Sequence, residues 1–276
     1  MEAKKVCVIT GAAGVLPSAF ATEMVKNGYA VALLDRNAEG AEALAARIRA
    51  EGGTAAAYPC DVLDKATLQA AHEKMLAELG PATVLINGAG GNSPRATAAN
   101  ETFTAGDETR EDVATFFNLD RAGFEFVFNL NILGTLLPTQ VFTPDMVGKK
   151  GCSVLNISSM NAFRPLTKIP AYSAAKAGVS NFTQWLAVYF APAGIRVNAI
   201  APGFFVTAQN KALLFHEDGT PTPRTGKILA ATPMGRFGKP EELLGALRFF
   251  TDASASGFVT GVVLPVDGGF AAYSGV

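Results

Sequence analysis

Val6-Cys7-Val8-Ile9-Thr10-Gly11-Ala12-Ala13-Gly14-Val15-Leu16-Pro17 is the stretch whose reading decides the fold. Residues 6–10 form a continuous apolar run rather than an alternating one, as a strand covered on both faces requires. Gly11 and Gly14 allow a tight turn and close approach of a phosphate to the backbone. The helix expected over 18–26 then offers free N–H groups and a partial positive charge at its start. Glycines also mark ordinary strand-to-helix turns, so the reading rests on position: this turn follows the first strand of a βαβ unit. It predicts that Gly11, Gly14, Val15 and Leu16 surround the pyrophosphate of a dinucleotide.

Working outward, apolar runs at 30–35, 55–61, 83–87, 152–158, 196–200 and 262–266 read as strands, with helical stretches at 39–51 and 65–79. Such alternation, with right-handed crossovers, predicts an α/β protein: a doubly wound parallel sheet of the Rossmann type with helices on both faces. There is no internal repeat or low-complexity linker, so residues 1–276 are expected to form one dinucleotide-binding catalytic domain. Two long polar segments, about 92–124 and 204–233, each follow the C-terminal end of a strand, where such sheets bind ligands. They are the predicted walls of a substrate pocket.

The 276 residues are 49% hydrophobic and 17% charged, with a net charge of −1. No basic excess exists to neutralise phosphates, which argues against a nucleic-acid partner. No run of about 20 apolar residues suggests a membrane span. The first residues lead into a strand without a signal-peptide pattern, so a cytoplasmic location is expected. Cys7, Cys60 and Cys152 are odd in number and widely spaced, and read as small core residues. His72 and His216 lack metal-ligand spacing, so no protein-held metal is expected.

Asp35 closes the second strand, where a carboxylate accepts hydrogen bonds from the adenosine ribose and repels a 2′-phosphate. NAD(H) is therefore favoured over NADP(H), although Arg36 beside it offers a guanidinium that could pair with the extra phosphate. Asp61, followed by Val62, ends the third strand and is placed to meet the adenine edge; the plainer alternative is a helix N-cap.

Five further segments, in order along nearly the whole chain, resemble the short-chain dehydrogenase/reductase family. Asn87-Gly88-Ala89-Gly90 is similar to the family's Asn-Asn-Ala-Gly segment, and Asn131-Ile132-Leu133-Gly134-Thr135 carries its catalytic asparagine. Ser159 precedes Tyr172 by thirteen positions, and Tyr172-Ser173-Ala174-Ala175-Lys176 matches Tyr-x-x-x-Lys. Pro202-Gly203-Phe204-Phe205-Val206-Thr207 resembles the stretch that grips the nicotinamide carboxamide, with Pro202, Gly203, Phe205 and Thr207 as contacts. The resemblance implies hydride transfer between a nicotinamide and a hydroxyl or ketone carbon. Tyr172 would be the general acid/base, with its phenol (ordinarily near pKa 10) lowered by Lys176 and by the oxidised cofactor. Lys176 would also hold the nicotinamide ribose, Ser159 the substrate oxygen, and Asn131 a proton-relaying water; Ser158 is the alternative serine. One departure stands out: Val15 and Pro17 occupy the family's last two turn glycines, and Pro17 removes an amide that could face the pyrophosphate.

The gap between the Asn87 segment and Asn131 is longer than the family's by roughly twenty residues, around 100–124. Strings at 90–97, 126–140, 159–163, 207–211 and 272–276 resemble one subgroup, the short-chain-type D-mannonate oxidoreductases (fructuronate reductases) of hexuronate metabolism. That resemblance implies reduction of D-fructuronate to D-mannonate with NADH, and the family resemblance implies a homotetramer. A sugar acid wants a cation and several amides or hydroxyls. Arg95, Lys168 and Lys211 are the cations in the two loops, with Asn92, Asn161, Gln209 and Asn210 nearby. Arg95 or Lys211 is expected to pair with the carboxylate, and Asn92, Ser159, Asn161 and Gln209 to complete the substrate site. The alternatives are a related dehydrogenase of another sugar acid or polyol, such as a ketogluconate, and a non-catalytic NAD(H)-binding sensor.

Overall fold

Along β1 (Val6–Thr10) the side chains of Val6 and Val8 enter one hydrophobic core while those of Cys7 and Ile9 enter another, and all four are fully buried. This period-two division recurs in β2 (Ala30–Asp35), where Ala32 and Leu34 face the first core and Val31 and Leu33 the second. A strand with apolar groups on both faces is stable only when helices cover both. In the computed structural model, which describes residues 5–206 and 211–275, they do.

The second core is closed by α1 (Val15–Lys26) through Phe20, Ala21 and Met24, and by α2 (Ala38–Ala50) through Leu44, Ala45 and Ile48. After β3 (Ala55–Pro59), α3 (Lys65–Glu78) supplies Leu68, Ala71 and Met75 to the first core. The chain then passes through β4 (Val84–Asn87), α4 (Arg121–Phe128), α5 (Gly134–Phe142), β5 (Ser153–Ile157), α6 (Pro170–Phe190) and β6 (Arg196–Pro202). It ends with α7 (Lys211–Leu214), α8 (Pro223–Ala230), α9 (Leu244–Thr251), α10 (Ala253–Ser256) and β7 (Val263–Val266).

Seven strands form one sheet in the order β3-β2-β1-β4-β5-β6-β7, every neighbouring pair parallel. This is the Rossmann-type architecture expected from the sequence. Strand order reverses between β1 and β4, which pair Cys7 with Val84 and Thr10 with Asn87. Both predicted pocket segments leave the carboxyl edge, one after β4 and one after β6. Neither is wholly irregular. The first carries three short 3-10 turns and gives way to α4 at Arg121, and the second contains α8. The irregular look of the latter comes from Pro221 and Pro223; Pro223 sits at the start of α8, where its missing N–H is harmless.

Residues 121–146 form one nearly continuous helical run, long and apolar enough to cross a membrane by length and composition. The sequence reading missed this run because polar residues interrupt it. Half of it is buried inside the fold, with Val141, Phe142 and Met146 in the first core. Cys7, Cys60 and Cys152 are free and buried, as their strand positions imply. His72 on α3 lies 3.0 Å from the Asp145 carboxylate. Among the described residues no cluster of His, Cys, Asp or Glu has metal-binding geometry.

A polar chain crosses the middle of the sheet. Asn87 Nδ2 donates to Thr139 Oγ1 (3.0 Å) and Asn156 Oδ1 (2.8 Å), and Asn156 Nδ2 donates to Thr183 Oγ1 (2.9 Å). It joins β4, α5, β5 and α6 in an environment where an unpaired amide is expensive. Asn156→Ala is therefore expected to lower stability by about 2–4 kcal/mol, seen as a fall of several degrees in a thermal melt; an unchanged melt would show that the network contributes nothing.

Candidate active site

The turn after β1 and the turn after β4 touch. Gly11 has φ of +65°, and a Cβ there would lie 2.8 Å from Ala89 Cα, so no side chain fits between the two turns. Thr10 Oγ1 accepts from both Gly88 N (3.1 Å) and Ala89 N (3.2 Å), locking them together. Gly14 N donates to Gly11 O (2.9 Å), and α1 starts at Val15, earlier than the sequence pattern implied. By position, the Val15 and Leu16 amides lack an intrahelical acceptor and remain available to an anion. Pro17 is buried, and its ring packs on Gly88: a Cβ on Gly88 would come within 2.9 Å of Pro17 Cγ. Its proline character thus supports the turn-to-turn contact. This cradle, too tight for side chains and edged with free amides, fits a dinucleotide phosphate.

Asp35 has a structural task that the sequence did not reveal. Its Oδ2 accepts from Ala13 N (2.9 Å) and its Oδ1 from Asn37 N (2.8 Å), so the same carboxylate pins the glycine turn and the start of α2. Each oxygen keeps a lone pair for a ribose hydroxyl. Arg36 is exposed beside it. Asp61 is exposed at the same edge, with Oδ1 accepting from Leu63 N (2.9 Å); the N-cap of α3 is Asp64. Val62 is buried and packs toward Gly134.

The Asn87 side chain is 1% exposed: Nδ2 is turned into the sheet and supports β4, while its buried Oδ1 has no hydrogen-bond partner in the fold. At the end of β6, Gly203 N donates to Val266 O (2.9 Å), and a Cβ on Gly203 would sit 2.5 Å from Asp267 Cα. Pro202 and Phe205 are buried, the Phe205 ring lying over Gly238. Thr207, Gln209 and Asn210 lie outside the described residues.

Three elements converge on the reactive groups. Ser159 follows β5, is 7% exposed, and its Oγ accepts from Asn161 N (3.2 Å). Ser158 turns away, bonding Ser180 Oγ (2.7 Å) and Lys176 O (3.2 Å), which leaves Ser159 to face the pocket. Tyr172 and Lys176 lie one turn apart in the first turns of α6, with the Lys176 Nζ 5.8 Å from the Tyr172 ring centroid. Tyr172 and Phe124 both pack against a small core of Ala96, Val127, Ala171 and Ala175, which joins both ends of the long segment before α5 to the start of α6. Lys176 is 4% exposed and donates from Nζ to Ile157 O (2.7 Å). A Cβ on Gly90 would meet Asn131 Oδ1 at 2.8 Å and Lys176 Nζ at 3.1 Å, so this glycine is the floor on which both rest.

Asn131 sits in a π-helical turn, Asn129–Leu133, that joins α4 to α5. Such bulges re-aim side chains. Here Nδ2 donates to Gly91 O (2.8 Å) and Val127 O (2.7 Å), and Oδ1 accepts from Gly91 N (3.3 Å). The side chain clamps the turn after β4, and Oδ1 keeps acceptor capacity on which the expected relay water could be held.

Burial governs the electrostatics. It lowers Lys176 from its ordinary range to about 8. It also raises the Tyr172 phenol, with a hydrogen bond from Ser159 pulling the other way. Among the protein's own groups, desolvation of the phenolate outweighs the Ser159 hydrogen bond, so the net shift is upward. A phenol held neutral is suited to donate a proton to a carbonyl oxygen.

Of the substrate candidates, Asn161 is 4% exposed and its Oδ1 has no hydrogen-bond partner, directly beside Ser159. Asn92 is exposed and donates to Thr97 Oγ1 (3.2 Å). The Arg95 guanidinium forms an ion pair with Asp120, a partner that sequence spacing did not suggest. Lys211 is exposed at the start of α7.

The dinucleotide cradle and the Ser159, Tyr172 and Lys176 cluster define an oxidoreductase, and the chain belongs to the short-chain dehydrogenase family, whose model matches residues 5–217. It is 58% identical over 99% of its length to an uncharacterized oxidoreductase of Haemophilus influenzae, covering 95% of that protein. A solved Haemophilus structure with bound NAD, provisionally assigned as a D-mannonate oxidoreductase, is also 58% identical. It superposes with a TM-score of 0.95 over 99% of this chain and 96% of that one. The 5-keto-D-gluconate 5-reductase of Escherichia coli is 34% identical over 97% of this chain and 95% of its own.

Two outcomes follow. Lys176 carries its charge below about pH 8 and loses it above. For reduction, kcat/KM should therefore decline as pH rises through about 8, while a profile flat to pH 10 would remove the ammonium from the mechanism. Asp35→Asn keeps an acceptor for the glycine turn but deletes the charge, so NADPH should gain about ten-fold or more on NADH in kcat/KM; an unaltered ratio would place cofactor choice elsewhere.

Proposed function

We propose that this protein is an NAD(H)-dependent reductase interconverting D-fructuronate and D-mannonate. The observation that carries the reading is the near-complete overlay, at 58% identity, on a structure with bound NAD that bears a D-mannonate oxidoreductase assignment. The lone carboxylate at Asp35 favours NAD, and the pocket-side amides Asn92 and Asn161 suit a polyhydroxylated substrate. A small sugar acid is the partner; nucleic acid and membrane have no role in the reading. Apart from the cation that meets the substrate carboxylate, the site residues are proposed in the roles expected of them, with two changes. Asn87 acts through β4, and Asn131 also clamps the turn at Gly91.

When bound, the reduced nicotinamide supplies a hydride to the substrate carbonyl carbon. Gly11, Gly14, Val15, Leu16, Asp35, Asp61, Val62, Gly88 and Ala89 would hold the phosphates and adenosine, and Pro202, Gly203 and Phe205 the nicotinamide end; Thr207, assigned with them from the sequence, lies outside the described residues. Ser159 Oγ donates to the carbonyl oxygen and steadies its developing charge. Tyr172 gives that oxygen its proton, and Lys176 stabilises the phenolate left behind. The oxidation runs the same steps in reverse.

The E. coli relative favours a second substrate in the same chemistry, a ketogluconate. Residence in the cytoplasm and assembly with further copies, as a tetramer, are part of the proposal. The exposed rings of Trp185 and Tyr189, stacked on the half-buried Phe182 along α6, are consistent with a covered face.

Purified protein with NADH and D-fructuronate should oxidise the nicotinamide rapidly, whereas 5-keto-D-gluconate alone reacting would transfer the reading to the second substrate. Tyr172→Phe should lose about 10²–10⁴ in turnover with NADH binding retained. Full activity in that variant would refute the phenol's role, and binding without any turnover in the parent would favour a sensor.

A further inference from the structure

Among the described residues one non-glycine adopts left-handed backbone: Lys168, with φ of 71°. A residue with a Cβ is disfavoured there, and glycine or asparagine would make the same turn more easily. Strained positions of this kind cluster where a side chain must be held for function. Lys168 is held firmly. Its carbonyl accepts from Ala98 N (2.7 Å), tying it to the long segment after β4. Ile169, the next residue, is the N-cap of α6, whose first turn carries Tyr172.

Three of the neighbouring cations are already engaged, and a further one, Arg224, is exposed close to Lys227 in sequence. Arg95 is paired with Asp120, Arg164 Nε donates to Ala271 O (3.0 Å), and Lys227 meets both oxygens of Glu101 at 2.8 Å. Lys168 is half-buried, and its ammonium has no hydrogen bond or ion pair with a described residue. Glu101 nonetheless feels it: Lys227 first, then Lys168 and Arg224, hold that carboxyl below its usual range. Three cations around one carboxylate leave an excess of positive charge at this rim, two segments of which meet through the Glu101–Lys227 bridge.

We propose that Lys168 is the residue that receives the substrate's carboxylate, in place of Arg95 or Lys211, and so selects a keto-acid over a neutral keto-sugar. The assignment rests on the sugar-acid reading above. In it the strained turn sets the ammonium at the rim, one helical turn before the proton donor. The substrate is then fixed at two points, its carbonyl at Ser159 and Tyr172 and its carboxylate at Lys168.

The test is steady-state reduction of D-fructuronate by Lys168→Gly, Lys168→Arg, Arg95→Gln and Lys211→Gln, with NADH binding followed by fluorescence. Lys168→Gly suits the backbone, so a loss cannot be blamed on strain. It should raise KM by about ten-fold or more with kcat little changed. Lys168→Arg should recover most of the affinity, and NADH binding should match the parent throughout. A parental KM in Lys168→Gly, or an equal rise in Arg95→Gln or Lys211→Gln, overturns the assignment alone. A parent that reduces neither fructuronate nor any other keto-acid overturns the sugar-acid reading and this assignment together.

Discussion

The active-site region is organised by the side-by-side pairing of β1 and β4, whose chains then leave for opposite faces of the sheet. From β1 the chain turns into α1 on one core, and beyond β4 it reaches α5 on the other. The divergence opens a crevice at the carboxyl edge, where ligands of such sheets bind. Its narrowness is set by contact between two turns, with Gly11 against Ala89 and Pro17 against Gly88, and one hydroxyl, Thr10 Oγ1, holding both. A proline in place of a family glycine here serves packing, since the amide it lacks belongs to a ring directed inward.

Desolvation links the packing to the chemistry. Burial of Tyr172, which packs on the small core at Ala96, Val127, Ala171 and Ala175, raises the phenol and favours its protonated form. The sheet edge that buries Lys176 beneath Gly90 brings the ammonium down to about 8, poised to exchange charge near neutrality. Both groups are thereby prepared for a reaction in which negative charge appears briefly on the substrate oxygen, because a buried cation acts on a developing anion with little screening.

Several side chains proved to have two duties or a different one. Asp35 braces the glycine turn through one oxygen and the start of α2 through the other, so the shape of the cradle depends on one carboxylate. Asn87 and Asn131 look alike as motif residues, yet the first is a sheet-crossing tie and the second a clamp formed by a π-helical turn. The ties made by Asn87 and Asn131 depend on which partner lies across the fold, at separations of forty residues or more, and no local pattern encodes them.

The sequence by itself determined the strand order's raw material, the nucleotide turn and the spacing of Ser159, Tyr172 and Lys176. These are local properties: apolar periodicity, glycine where backbones must meet, and two residues four apart on one helix. Only the tertiary structure decided which cations remain available to a substrate. Arg95 precedes the insertion and Asp120 lies near its far end, and the fold brings them together. Lys168 reveals its left-handed backbone only once Ala98 is seen bonded to its carbonyl. Charge on a surface loop is legible from the chain, but its pairing is set by three-dimensional proximity, and pairing is what fixes whether a cation can bind a ligand.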